Sequence, residues 1–163
     1  MRGIQAPERL FPRKLAKPKQ VEKIEFEYKR QGTLSLIANW DVALGKVLTP
    51  WIGATRTEQD FKEHIKKTIK TDEKGEWIFI VEQRATQKSE SLVKLVASIC
   101  GITRELGVKR KEGILKSLAS REDFLSDESH RIRFVYVRKH TSWLNQIECW
   151  LSILVRRLLK RSS

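Results

Sequence analysis

The segment HTSWLNQIECWLSILVRRLLKR holds one acid, Glu148, among tryptophans, leucines and isoleucines. Between positions 131 and 163, eight Lys and Arg residues stand against that single carboxylate. Leu144, Ile147, Leu151, Leu154 and Leu158 recur at helical spacing, and at about 100° per residue they form one apolar stripe. Glu148 falls roughly 80° from the centre of that stripe. Asn145 and Ser152 share its flank, so the carboxylate can look out of the core. The plain chemistry open to it is an ion pair with Arg156 or Arg157. The cations have chemistry of their own. Arg156, Arg157, Lys160 and Arg161 crowd the helix end, and Arg138 and Lys139 precede it, an arrangement suited to binding phosphates. The alternative is that they solvate the helix and offset its C-terminal dipole.

The remaining reactive side chains give weaker signals. His64 sits between charged neighbours in a helical pattern and reads as solvated. His130 reads as a loop residue. His140 could touch phosphate or the start of the last helix. Cys100 and Cys149 are too few and too far apart for a zinc site and read as core thiols in a reducing compartment. No phosphate-binding glycine loop and no Ser/His/Asp set is present.

The whole chain bounds these readings. It has 163 residues, 40% of them hydrophobic, which suits one domain with a core. No apolar run approaches the roughly 18 residues of a membrane span, and no secretion signal follows Met1, so a cytoplasmic setting without membrane contact is expected. The formal net charge is +13 and the pI about 10.0. Such an excess points to a polyanion, nucleic acid before a membrane surface.

The elements follow from periodicity. Residues 1–24 carry Pro7, Pro12 and Pro18 among cations and read as an irregular basic arm. Alternating apolar residues from Phe26 to Ala38, a turn at residues 41–45, and Val47-Leu48 predict antiparallel strands. Thr57 followed by acids predicts a helix start. Phe61, Ile65 and Ile69 carry that helix to about Thr71. WIFIV predicts a buried strand ending at Glu82. A second helix from Ser89 turns Leu92, Val93, Val96 and Ile99 inward and stops at Gly101. A short helix is expected around residues 114–118, a strand at residues 132–137, and then the segment bearing Glu148. Hairpin strands first and alternation with helices afterwards give an α/β fold with a mixed sheet and flanking helices.

WLNQIECWLSIL resembles the Trp-Leu-Asn-Gln-(Ile/Val)-Glu signature of mariner-like bacterial insertion-sequence transposases, in the DDE superfamily of endonucleases. RKHTS resembles the lead-in to that signature. IANWDVALGKV, GATRTEQDFKEHI and KSESLVKLVASICGI are similar to the same family, so the likeness covers nearly the whole chain. It implies an RNase H-like domain over residues 25–163 that cuts and joins DNA with two divalent metals, Mg2+ or Mn2+. In such chemistry the metals sit about 3.5–4 Å apart, one activating the nucleophile and one holding the leaving oxygen. Three carboxylates hold them, and Glu148 matches the last.

The resemblance also marks departures. The second acid is usually Asp at the end of the central strand, in Asp-x-x-Asn-Thr-His, where this chain reads Glu82-Gln83-Arg84-Ala85-Thr86-Gln87. An extra methylene moves the carboxylate by about 1–1.5 Å, and such misplacement can cost roughly 100-fold in rate. The first Asp belongs to a strand that precedes a stretch like residues 1–6, so the chain is expected to lack it, along with a helix-turn-helix region and a C-terminal continuation. Asp41 fits a turn better than a ligand. The resemblance therefore implies weak or absent metal binding by Glu82 and Glu148, with sequence-tolerant DNA binding through Arg138, Lys139, His140, Arg156, Arg157, Lys160 and Arg161. Three functions follow: a catalytically defective transposase fragment that still binds nucleic acid, an active recombinase completed by another chain or by a longer start, and a non-enzymatic regulator that pairs with an intact transposase. An unpaired sheet edge would favour self-association.

Overall fold

The computed structural model describes residues 2–9, 28–137, 146–154 and 156–157. The strands are β1 (Arg2–Arg9), β2 (Tyr28–Asp41), β3 (Lys46–Gly53), β4 (Trp77–Glu82) and β5 (Ile132–Val137). The helices are α1 (Glu58–Ile69), α2 (Glu90–Ile99), α3 (Leu118–Leu125) and α4 (Gln146–Leu154). The class is mixed α/β, as expected. The described strands form two sheets rather than one, an antiparallel β1-β2-β3 and a parallel β4-β5.

The hairpin between β2 and β3 turns on Asp41 and Gly45. The Asp41 carboxylate accepts from the Leu44 N–H at 2.9 Å, and Gly45 adopts φ 63°, a value that costs glycine little. Asp41 is thus a turn residue. Residues 2–9 depart from expectation, since they form β1, not an irregular arm. The reason lies at Pro7: the register with β2 shifts between Gln5 and Pro7, and a bulge on an outer strand tolerates a residue without an N–H. Residues 10–24 of that arm lie outside the described residues.

α1 starts where Thr57 and Asp60 form a reciprocal capping box. The Thr55 hydroxyl also donates to Asp60 at 2.7 Å and is the main cause holding that carboxyl below its usual range. α2 is capped by Ser89, whose hydroxyl accepts from the Leu92 N–H. The helix expected around residues 114–118 appears later, as α3, because Ser117 caps its start by a reciprocal bond with Ser120.

One core joins both sheets. Ile37 from β2 shares it with Phe61, Ile65 and Ile69 of α1, Phe79 and Val81 of β4, Leu92 and Val96 of α2, and Ile132 and Phe134 of β5. Phe79 pairs with Phe134 across the parallel ladder, their rings 5.2 Å apart. The other face of the small sheet is open, with Ile78 54%, Ile80 56% and Val135 47% exposed. His64, expected in solvent, is fully buried. It lies one residue before Ile65, inside the stripe that also buries Phe61 and Thr68, and its charged neighbours hid that periodicity. Cys149, expected in the core, is exposed, whereas Cys100 is half-buried against the core.

Candidate functional site

Parallel strands present the ends where ligands most often bind at their C-termini. Here those ends are Glu82 and Val137, paired in register. The backbone reverses immediately after Glu82: the Arg84 N–H donates to the Glu82 carbonyl at 2.9 Å. That tight reversal folds the Arg84 side chain back, and its Nε donates to Glu82 Oε2 at 2.6 Å. The Glu82 carboxylate is partly exposed and already holds one cation.

Behind this pair lies a group of charges that periodicity did not reveal. Lys88 and Arg121 are buried, and Lys88 pairs with Glu122. Lys88 Nζ also stands 4.7 Å from the Tyr136 ring centroid. Arg121 donates to the Lys88 carbonyl at 2.9 Å, and the Tyr136 hydroxyl donates to the Gln87 carbonyl at 2.8 Å. Burial pushes the Tyr136 hydroxyl pKa well above its usual value. The network ties the turn after β4 to α3 and β5 and so fixes the platform under Glu82. A charged residue one position before the Ser89 helix cap was no signal in sequence.

Glu148 lies on α4, with its side chain outside the described residues. Leu151 is buried and Ile147 and Leu154 are half-buried, so the stripe that orients the helix is present over this span. The start of α4 runs beside β2 and β4, where Gln146 and Ile147 face residues 76–80. Arg156 and Arg157 are exposed, and Arg156 Nε donates to the Ser152 carbonyl at 3.3 Å. Arg138, Lys139, His140, Lys160 and Arg161 lie outside the described residues.

His130 is buried in its loop, with its ring 4.7 Å from that of Phe124. Among the described residues, no helix is long and apolar enough to cross a membrane.

No curated protein and no solved structure matches the chain. A family model described as DDE superfamily endonuclease matches residues 7–163, nearly the whole sequence. The chain belongs to the DDE superfamily endonucleases.

Proposed function

We propose that this chain is the catalytic-type domain of a mariner-like insertion-sequence transposase that keeps its hold on DNA while its phosphodiester chemistry is impaired. Membership of an endonuclease family makes DNA the substrate class. The +13 charge and the exposed Arg156 and Arg157 support backbone contacts that do not depend on base sequence.

Endonucleases of this superfamily typically use divalent metals. Among the described residues, no three of His, Cys, Asp and Glu come together to hold one. The carboxylate of Glu82 is engaged by Arg84, and this single observation carries the reading of impaired chemistry. A guanidinium on that carboxylate competes with a cation for the same oxygen. Glu148, on α4, would be its companion in the set of acids that the resemblance implies. A second reading, a regulator that associates with an intact transposase, draws on the uncovered face of Ile78, Ile80 and Val135.

Fluorescence anisotropy with two unrelated duplexes at rising salt tests the binding half of this proposal. Equal affinity for both, falling steeply with salt, is expected. Absence of binding at low salt would overturn it.

A further inference from the structure

The ends of β4 and β5 opposite Glu82 carry a second group of charges. Trp77 opens β4 and pairs with Ile132 at the start of β5, and the Trp77 N–H donates to the Arg131 carbonyl at 2.7 Å. Roughly 17 Å of strand separate this end from Glu82. A cavity of about 380 Å³ opens here, between the turn that closes α2 and the turn that leads into β5. Cys100, Ile102 and Arg104 line it from the first turn, and residues 127 and 129–131 from the second.

The charges of the lining do not balance. Two guanidinium groups, Arg104 and Arg131, stand against one carboxylate, Asp127. That carboxylate is engaged by its own turn: Oδ1 accepts from the Ser129 hydroxyl at 2.7 Å and from the Ser129 N–H at 2.9 Å. Those two bonds are the main cause holding its pKa below the usual range. Arg131 has backbone carbonyls as partners, those of Glu73, Gly75 and Ile99, so its charge is solvated but not neutralised. Arg104 stands over the Phe124 ring, 5.4 Å from its centroid, and an arginine on an aromatic face keeps its fork of N–H donors for another partner. His130 packs on the same ring at 4.7 Å. It is only 9% exposed, and its Nδ1 has no hydrogen-bond partner among the described residues. A buried ring nitrogen left open costs free energy until something pairs with it.

We infer that this cavity is a binding site for a small organic phosphate. The Arg104 fork takes two of the phosphate oxygens. His130, protonated at Nδ1, donates to a third, and Arg131 adds the charge that no carboxylate offsets. A phosphate dianion suits two guanidinium groups and an imidazole better than a carboxylate, which has one charge and two oxygens. The cavity is larger than a phosphate group, and the remaining space lies along Ile102 and Cys100, both packed against the core. The organic part of the ligand rests there. The site does not depend on the proposed hold on DNA and stands or falls separately.

The probe is phenyl phosphate, with inorganic phosphate and phenol as its two halves, titrated into the full chain carrying 13C-labelled histidine. A saturable shift of the His130 ring signal is expected, with the buried His64 ring unmoved as the internal reference. Phenyl phosphate should bind about fivefold or more tightly than inorganic phosphate, the return on burying part of its ring, and phenol alone should leave His130 unmoved. Arg104→Ala should weaken binding about tenfold or more. Lys66→Ala, which removes an exposed cation from α1, should change nothing. If Arg104→Ala does not fold, Arg104→Lys carries the test, because it keeps the charge and loses the fork and should still weaken binding. Three results would overturn the inference: no saturable shift of His130, equal weakening by the Lys66 and Arg104 variants, or a His130 shift produced by duplex DNA and not by phenyl phosphate. The second would mean adventitious binding to a cationic surface, and the third would assign the cavity to DNA.

Discussion

The Arg84 guanidinium and the Glu82 carboxylate stand 2.6 Å apart at the C-terminal end of β4, two residues apart in a chain that reverses between them. The pair is partly exposed, so its net worth is small, about 0–1 kcal/mol. Its effect on chemistry is larger than its effect on stability, because it occupies the oxygen a cation would need. Arg84→Ala should leave the melting temperature within a degree or two and raise Mn2+ affinity by up to about fivefold, the ratio that about 1 kcal/mol allows. Manganese titration followed by electron paramagnetic resonance reads this directly. Unchanged affinity would show that Glu82 is no ligand.

Arg156 and Arg157 are exposed just past the end of α4, the helix that bears Glu148. Changing both to Ala should weaken duplex binding equally for unrelated sequences and reduce the salt slope by about two, close to one counterion for each lost contact. An unchanged slope would assign these cations to solvation.

His64 gives the chain an acid-side weakness. Burial pushes its folded pKa down to about 4, from an ordinary value of 6.5, against a smaller opposing contribution from the Thr49 backbone. The unfolded chain therefore binds more protons between these two values. Stability should be full above about pH 6.5 and fall as pH drops toward 4, by up to about 3 kcal/mol for a shift of this size. His64→Leu should flatten that fall in urea melts. An identical pH profile in the variant would place the titrating group elsewhere.

Glu122 pairs with the buried Lys88, whose carbonyl accepts from the buried Arg121. Glu122→Gln leaves a buried ammonium without its partner. The expected cost is about 1–3 kcal/mol, below the full penalty of a buried pair because Glu122 is partly exposed. A urea midpoint unmoved by the change would mean that water compensates Lys88.

Much of this was legible before the structure. Trp77–Glu82 reads as a strand because β-branched and aromatic residues run unbroken to an acid. The start of α1 was legible because Thr57 and Asp60 stand at capping-box spacing. The signature around Glu148 carried the family, which the match over residues 7–163 bears out at superfamily level. Other features were hidden for physical reasons. β1 was obscured by Pro7, whose place at a bulge depends on a partner strand that sequence does not show. His64 was misread because Glu63 and Lys66 dominate its neighbourhood, although its spacing from Phe61 and Thr68 was the better guide. The Glu82–Arg84 pair needed the backbone reversal after β4 before two charges at i and i+2 became a contact.

DNA retention with impaired cleavage, as proposed above, is open to one direct test. Supercoiled plasmid incubated with the protein and Mg2+ or Mn2+, then resolved on agarose before and after protease treatment, reads both halves at once. Retarded plasmid that returns to its supercoiled position after proteolysis is the expected result. Nicked or linear product that depends on the metal, and that disappears in Glu82→Gln and Glu148→Gln, would contradict it.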